Sequence, residues 1–296
     1  MAVVGRPNVG KSTLVNQLVG QKVAIVSDKP QTTRNRILAV VNRPGGQILL
    51  FDTPGIHKPI HRMNERMVGA AVASLDNVEL ALWLVDITQP YGPGDRHLRD
   101  VLARSGRRTL LGINKIDALP KQRILPAIET YHKLLDFVDV VPLSAKQGDN
   151  VELLAERLLA ALPEGEPLYP EEFLTDRPER FFVSELIREQ VLARTREELP
   201  YAAAVSIESF KEEEKLTRIE ATLLVERDSQ KAIMIGKGGA MLKAIGTAAS
   251  AQIESFLDCK VFLGLFVKVR AHWREDPRML DELGFDAESG RPSRKR

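Results

Sequence analysis

Cysteine is nearly absent from this sequence of 296 residues, in which Cys259 is the only one. That count excludes internal disulfides and cysteine-rich zinc sites, and it fits a reducing compartment. Aromatic residues make up only 5%, so we expect an aliphatic core. No apolar run approaches the roughly 18 residues that cross a bilayer, and no signal peptide precedes the first motif. We therefore predict a cytoplasmic protein, although the sequence leaves open whether the native chain starts upstream of Met1.

A strong charge of either sign is lacking as well. The net charge is +2, which by itself favours no particular partner, and the length suggests two domains. Up to residue 162 strand-like and helix-like stretches alternate, which predicts an α/β domain with a doubly wound, mostly parallel sheet. The predicted strands are a pair at 37–42 and 47–51 and three runs typical of strands buried on both faces at 80–85, 109–113 and 138–141; the predicted helices are 61–75, 94–104, 120–135 and 149–162.

A glycine-rich loop stands between the first apolar run and the first helix-like run, the context that a Gly-x-x-x-x-Gly-Lys-Ser phosphate loop requires. Backbone N–H groups of such a loop and the N-terminus of the next helix hold a diphosphate or triphosphate. We expect Lys11 to reach the β- and γ-phosphate oxygens and the Ser12 hydroxyl to ligate Mg²⁺. The predicted nucleotide contacts are Gly5, Arg6, Pro7, Asn8, Val9, Gly10, Lys11 and Ser12.

Three further motifs follow strand-like runs, and each has a bland alternative when taken alone. The first motif begins at Asp52. It suits an aspartate that holds Mg²⁺ through water, followed by a Gly55 N–H that meets the γ-phosphate; an ordinary turn is the alternative. In the second, Asp117 can accept two hydrogen bonds from guanine that adenine cannot donate, so a buried carboxylate would reject adenine; a polar strand end is the alternative. Backbone N–H groups of the third could meet guanine O6. The residues are Asp52, Thr53, Pro54, Gly55 and Ile56; Asn114, Lys115, Ile116 and Asp117; and Ser144, Ala145 and Lys146.

The four motifs, in this order and each at a strand end, resemble those of the Era/TrmE group of translation-factor-like P-loop GTPases over the first 162 residues. The resemblance implies that GTP or GDP binds together with Mg²⁺. It implies that Asn114 and Asp117 select guanine and that Lys115 packs over the base.

The same resemblance implies a mobile threonine in the polar stretch 27–36, which caps Mg²⁺ and the γ-phosphate in the triphosphate state. Of the two candidates, Thr32 and Thr33, relatives with a Thr-Thr-Arg sequence use the second. The predicted metal ligands are therefore Ser12, Thr33 and Asp52. An exposed polar loop without this role is the alternative.

One residue departs from the Ras-like pattern. Ile56 stands where Ras-like proteins have the glutamine that orients the attacking water, so slow intrinsic hydrolysis is expected. Similar GTPases with a hydrophobic residue here bind K⁺ through the loop asparagine, which assigns that role to Asn8 as a hypothesis. Arg34 and Arg36 are expected to be solvated rather than to supply charge to the reaction. The predicted catalytic residues are Lys11, Asn8, Thr33 and Gly55.

A proline-rich acidic stretch, 163–179, predicts a semi-rigid linker before a second domain at 180–285. The patterns there predict a helix at 180–198, strands at 203–210 and 216–226 around a charged turn, a helix at 241–257 and a strand at 260–269. An Ile-Gly-x-Gly-Gly segment in this order resembles the loop of a type II KH domain, an α+β fold whose glycines approach RNA phosphates. The predicted RNA contacts are Ile235, Gly236, Lys237, Gly238, Gly239 and Lys243.

A GTPase domain followed by one such KH domain is the architecture of the Era-type GTPases. The resemblance implies an assembly factor that binds the 3′ end of 16S rRNA on the 30S ribosomal subunit. Two alternatives stay open: a GTPase of tRNA modification, which usually carries a C-terminal cysteine motif lacking here, and a non-enzymatic adaptor that binds protein or membrane. We also expect a monomer, peripheral contact of the basic second domain with anionic membrane on the inner face of the cell membrane, and a basic, disordered tail at 286–296.

Overall fold

The computed structural model describes residues 1–285, so the predicted tail at 286–296 lies outside the described residues. The described chain forms two compact units. The first comprises residues 1–60 and 64–176, and the second comprises residues 61–63 and 177–285. No helix within the described range is both long and apolar enough to cross a membrane.

The first unit is built on a six-stranded sheet in the order β2-β3-β1-β4-β5-β6, in which only the β2–β3 pair is antiparallel. This arrangement confirms the predicted mostly parallel, doubly wound α/β domain. The strands are β1 (Ala2–Val4), β2 (Ile37–Arg43), β3 (Gly46–Asp52), β4 (Leu80–Asp86), β5 (Arg108–Asn114) and β6 (Phe137–Pro142). The helices are α1 (Lys11–Val19), α2 (Arg62–Ala73), α3 (Pro93–Ser105), α4 (Ile124–His132) and α5 (Val151–Ala161).

The core is largely aliphatic, as the composition predicts. At its centre lies β4, which is buried at every position. Trp83 in the middle of this strand is fully buried, and its ring lies 6.0 Å from those of Tyr131 and Phe137. The prediction was wrong for β6, which is an edge strand with Val138 41% exposed rather than a strand buried on both faces. The helix predicted at 120–135 is also shorter, because the chain first makes a 3₁₀ turn at Lys121–Arg123 behind Pro120.

The predicted linker is not a free spacer, because residues 168–175 lie along the β2–β3 hairpin. We call these residues the strap. The N–H of Val40 donates to the carbonyl of Leu174 at 2.9 Å, and Ala39 forms an antiparallel bridge with Thr175. The side chain of Gln47 accepts from the N–H groups of residues 168 and 169. The strap therefore occupies hydrogen-bonding groups at the free edge of β2, which the composition of this segment does not reveal.

The second unit has the predicted order of elements. Its three-stranded sheet runs β7-β8-β9, with β7 antiparallel and β9 parallel to β8. The elements are α6 (Glu179–Arg194), α7 (Leu199–Ala202), β7 (Ala204–Glu213), β8 (Leu216–Val225), α8 (Asp228–Ile235), α9 (Ala240–Leu257), β9 (Val261–Val269) and α10 (Pro277–Glu282). Most of the charged segment predicted as a turn is in fact strand, because β7 pairs with β8 up to Glu213 and Leu216. The short helices α7 and α10 were not predicted.

Candidate functional site

The phosphate loop joins β1 to α1, and its shape requires glycine at two positions. Gly10 has a φ of 99°, and a Cβ there would stand 2.3 Å from Nδ2 of Asn114. A Cβ on Gly5 would stand 2.5 Å from the carbonyl oxygen of Leu84. Real Cβ atoms do not approach other atoms so closely, and a φ in this range strains any other residue. The two glycines of the motif therefore let the loop pack against β4 and against the end of β5.

Lys11 is the first residue of α1 and is buried in the loop. Its Nζ donates to the carbonyl oxygens of Gly5 at 3.2 Å and Arg6 at 3.0 Å. Burial lowers the pKa of Lys11 to about 8, an effect partly opposed by the charge of Asp52. An ammonium group held at a loop of backbone N–H groups can neutralise phosphate oxygens.

The three predicted metal ligands come together beside Lys11. The Ser12 Oγ donates to Oδ2 of Asp52 at 2.6 Å and lies 2.7 Å from Oγ1 of Thr33, which is 3.4 Å from the same carboxylate oxygen. Asp52 is fully buried, and burial raises its pKa even though both hydroxyls and Lys11 favour the ionised form. Its other oxygen, Oδ1, is buried without a hydrogen-bonding partner in the described chain.

This donor set fits Mg²⁺, which prefers oxygen ligands and takes few of them from protein. Two hydroxyls and a carboxylate with an unsatisfied oxygen are present, whereas residues 1–285 contain no cluster of three or more His, Cys, Asp or Glu side chains. The site is therefore suited to a small hard cation that also binds phosphate oxygens.

The segment after Asp52 lies directly against the phosphate loop. The N–H of Ile56 donates to the Gly5 carbonyl at 3.2 Å, and a Cβ on Gly55 would stand 2.8 Å from the ring of Pro7. Thr53 is buried and donates through Oγ1 to the carbonyl of residue 3. Ile56 is 1% exposed in the core, so its side chain does not face the site. The N–H of Gly55 has no partner among the described residues and remains available to a phosphate.

One lysine and one arginine predicted near the nucleotide have partners within the protein. The Nζ of Lys115, the residue predicted to pack over the base, lies 2.6 Å from Oδ2 of Asp86 and 2.8 Å from the carbonyl of Asn8. The Arg6 guanidinium instead pairs with Asp95 at the start of α3, at 3.0 Å. These contacts anchor the phosphate loop to the ends of β4 and α3.

Of the two arginines expected to be solvated, Arg34 is buried and Arg36 is partly buried. Arg34 is 4% exposed, and the guanidinium of Arg36 lies 4.4 Å from the ring centre of Phe51. Arg34 adjoins Thr33, which is itself 9% exposed with its hydroxyl beside Ser12 and Asp52.

Asn8 reaches the stretch that carries Thr33. Its Nδ2 donates to the carbonyl of Asp28 at 2.6 Å, and its backbone has a φ of 63°. The predicted K⁺ ligand therefore lies beside a backbone carbonyl, a second oxygen donor of the kind that a monovalent cation requires.

Asn114, which is predicted to select guanine, has a side chain that is 2% exposed and hydrogen-bonded to two neighbouring loops. Its Nδ2 donates to the Val9 carbonyl at 2.7 Å, and its Oδ1 accepts from the N–H of Ala145 at 2.9 Å. The Ala145 N–H, predicted for guanine O6, is thereby occupied, whereas the Lys146 N–H has no partner in the described chain.

Asp117 lies in the 3₁₀ turn Ile116–Ala118 after β5 and is exposed rather than buried. Its carboxylate has no partner among residues 1–285, so both oxygens are free to accept hydrogen bonds. Ser144 is fully buried at the end of β6, where its Oγ accepts from the N–H of Gln147 at 3.1 Å and shapes the loop that presents Lys146. An acceptor pair and one free N–H thus lie on neighbouring loops.

The second unit carries the glycine loop predicted to bind RNA. Three glycines there have positive φ, 74° at Gly236, 58° at Gly238 and 80° at Gly239, and a Cβ on either of the last two would meet nothing within 4 Å. Lys237 is exposed and Ile235 is half-buried. The loop therefore presents open backbone, which phosphate groups can approach.

A groove of about 430 Å³ runs from this loop between α9 and β9. The prediction included two of its residues, Gly239 and Lys243. It missed the remaining six, Leu242, Gly246, Thr247, Ser250, Leu263 and Leu265. Helical spacing of small and apolar residues on α9 was the available signal, because residues three and four apart share one helix face.

Two family models match the chain. A model described as "50S ribosome-binding GTPase" matches residues 1–115, and a KH domain model matches residues 198–274. Curated relatives match along almost the whole chain. GTPase Era of Geobacter metallireducens is 51% identical over 287 residues, which cover 96% of either chain. GTPase Era of Heliobacterium modesticaldum is 46% identical over 287 residues, which cover 97% of this chain and 96% of the relative.

Solved structures agree with these matches. Aquifex aeolicus Era bound to GDP and AlF₄⁻ superposes with a TM-score of 0.92 at 39% identity, covering 96% of this chain and 97% of the other. Era in complex with MgGDPNP and nucleotides 1506–1542 of 16S ribosomal RNA superposes with a TM-score of 0.93 at 39% identity and the same coverage.

Proposed function

Because the chain belongs to the Era family of GTPases, we propose that it assists assembly of the small ribosomal subunit by binding the single-stranded 3′ end of 16S rRNA. The chain is a GTPase that uses GTP, GDP and Mg²⁺. A solved relative holds nucleotides 1506–1542 of 16S rRNA, which favours the small subunit over the 50S subunit in the family model's description. An appended KH domain also favours ribosomal RNA over the tRNA-modification alternative.

The observation that carries the RNA part of the proposal is the groove beside the glycine loop. Lys237 and Lys243 are exposed at one end of it, and Leu263 and Leu265 line its wall on β9. Unpaired bases can enter such a groove and pack on its leucines while open glycine backbone and lysine charges meet the phosphates. The proposed ligand is therefore a short single strand rather than a duplex.

In the GTPase unit, catalysis rests on positioning and on neutralisation of charge. Lys11 would meet the β- and γ-phosphate oxygens, and Ser12, Thr33 and Asp52 would hold the metal. When bound, Mg²⁺ draws charge from the same oxygens. The Gly55 N–H contacts the γ-phosphate and so registers its presence.

Water is the nucleophile in this reaction, and no glutamine orients it, because Ile56 is buried in the core. We therefore propose slow intrinsic hydrolysis and a K⁺ ion at Asn8 that supplies the missing positive charge. Loss of the γ-phosphate would release Thr33 and Gly55, so that hydrolysis acts as a timer for the complex with RNA. This role would place the protein in the cytoplasm.

The RNA proposal is tested by a mobility shift with a single-stranded oligonucleotide of the 16S rRNA 3′ end. Gly238→Asp and Gly238→Asn form a matched pair, because both residues tolerate the left-handed backbone and a Cβ there meets nothing within 4 Å. Only the aspartate adds negative charge, so we expect it to weaken binding at least about tenfold while the asparagine has a small effect. Equal binding by wild type and both variants would overturn the RNA site.

A further inference from the structure

A buried amide on α2 holds the stretch that carries Thr33. Asn64 is 1% exposed, and its Nδ2 donates to Oε1 of Gln31 at 3.2 Å. Gln31 stands two residues before Thr33, and α2 begins shortly after the Asp52–Ile56 segment. One side-chain hydrogen bond therefore links α2 to the stretch of the GTPase unit that carries Thr33.

This bond has a structural reason to persist. Gln31 has a φ of 61°, a left-handed conformation that strains a residue other than glycine by roughly 1 kcal/mol or more. A buried amide without a partner costs roughly 1–3 kcal/mol, so Asn64 also needs its acceptor. The two demands are met together, because the strained backbone at Gln31 brings its side chain to Asn64.

We propose that Asn64 is a positioning residue for the GTPase reaction, which holds Gln31 so that the hydroxyl of Thr33 stays at Ser12 and Asp52. The inference rests on the proposed role of Thr33 as a ligand of the metal in the triphosphate state. The GDP state does not need this ligand. Asn64 therefore favours GTP over GDP and lowers the Mg²⁺ concentration needed for hydrolysis.

The pair permits a test in which single variants keep the bond. In Asn64→Asp, rotation of the Gln31 amide turns its NH₂ towards the new carboxylate. In Gln31→Glu, Asn64 still donates to a carboxylate. Only the double variant places two carboxylates against each other, where like charges repel. We expect each single variant to lose some activity because it places a carboxylate at a site with little or no access to solvent. The double variant should lose about tenfold more in kcat/KM than the product of the singles, the coupling of residues in direct contact.

Two readouts separate positioning from general damage to the fold. Affinities for GDP and for a non-hydrolysable GTP analogue are measured by titration, and hydrolysis is measured against Mg²⁺ concentration. We expect the double variant to bind GDP like wild type, to bind the GTP analogue about tenfold more weakly, and to need more Mg²⁺. If the effects of the two single variants simply add in the double variant, or if the double variant loses affinity for GDP and for the GTP analogue equally, the inference is overturned.

Thr33→Val is the control for the premise. It should reproduce the loss of preference for the GTP analogue, because it removes the hydroxyl that Asn64 is proposed to place. If Thr33→Val retains the preference, the proposed role of Thr33 itself fails. If Thr33→Val loses it while the double variant keeps it, only the role of Asn64 fails.

Discussion

The side chain of Asn114 hydrogen-bonds to the backbone of Val9, with 2.7 Å between Nδ2 and the carbonyl oxygen. The end of β5 is thereby tied to the middle of the phosphate loop. Through its Oδ1 the same side chain also holds the N–H of Ala145. Asn114 therefore organises two neighbouring loops, while Asp117 of the same motif keeps its carboxylate available for the proposed contact with the base.

Asn114→Ala should lower stability and leave purine choice unchanged. It leaves the Val9 carbonyl and the Ala145 N–H unpaired, and each buried unpaired group costs roughly 1–3 kcal/mol. We expect the free energy of unfolding in urea to fall by about that amount or more. The affinities for GTP and GDP should fall together. A selective gain of ATP binding would contradict this account.

Asp117→Asn should change which purine is preferred. In the proposed contact the carboxylate accepts from N1–H and N2–H₂ of guanine, whereas an amide offers one acceptor and one donor. Xanthine carries an oxygen in place of the 2-amino group, so the amide matches it. We expect GTP affinity to fall about tenfold to a hundredfold and XTP affinity to rise, as measured by competition against a fluorescent GDP. Unchanged GTP affinity would remove Asp117 from the site.

Nucleotide affinity should decline above pH 8. Burial lowers the pKa of Lys11 to about 8 in the nucleotide-free protein, and bound phosphates raise it. Between those two pKa values binding takes up a proton, so affinity falls as pH rises, by at most about tenfold per pH unit. Well below pH 8 Lys11 is charged in the free and in the nucleotide-bound protein, so it does not make the affinity depend on pH.

GDP titrations between pH 7 and 9.5 check the prediction for Lys11. Lys11→Met provides the control, because its slope contains only the ionisation of guanine and of other groups. The slope is that of the logarithm of the GDP association constant against pH. Above pH 8 the wild-type slope minus the Lys11→Met slope should be negative. Equal slopes would show that the ammonium does not meet the phosphates.

Gly10→Ala should destabilise the protein much more than Gly20→Ala. Both glycines have positive φ, 99° and 78°, but a Cβ on Gly20 meets nothing within 4 Å, while one on Gly10 collides with the Asn114 amide. The backbone strain alone costs roughly 1–2 kcal/mol. Urea unfolding should give about this value for Gly20→Ala and at least about 3 kcal/mol for Gly10→Ala. Equal losses would contradict the packing of the loop.

Hydrolysis should be faster in K⁺ than in Na⁺ buffer. The proposed site combines Asn8 with backbone oxygen near Asp28, and a cation there would supply charge that no arginine or glutamine provides. Asn8→Ala should reduce the K⁺ response while the rate in Na⁺ changes little. Phosphate release under single-turnover conditions measures both. Equal wild-type rates in the two buffers would remove the K⁺ proposal.

Motifs that act through backbone shape could be predicted from the sequence, because their residue types are few. Gly10, Ser12 and Asp52 lie where the motifs place them, and Thr33 reaches the predicted cluster. The partners of long side chains could not be predicted in this way. Lys115 forms an ion pair with Asp86 at the end of a different strand, and the two residues are close only after the sheet has formed.

Burial was the other property that the sequence pattern did not give correctly. The apolar run of β6 is typical of a central strand, yet this strand lies at an edge, because strand order is a property of the whole sheet. Arg34 is buried as well, next to Thr33, whose hydroxyl lies beside Ser12 and Asp52, and this proximity depends on the folded loop. Asn64 carried no sequence signal at all, because its partner lies in another segment.

The strap has a consequence for dissecting the protein. A truncated protein that ends at residue 162, just after the last helix of the GTPase unit, would lack the strap. The outer edge of β2 would then be exposed to solvent. Exposed strand edges pair with other copies and aggregate. A version that ends at residue 176 keeps its own cover on that edge and so is the shortest piece suited to isolation.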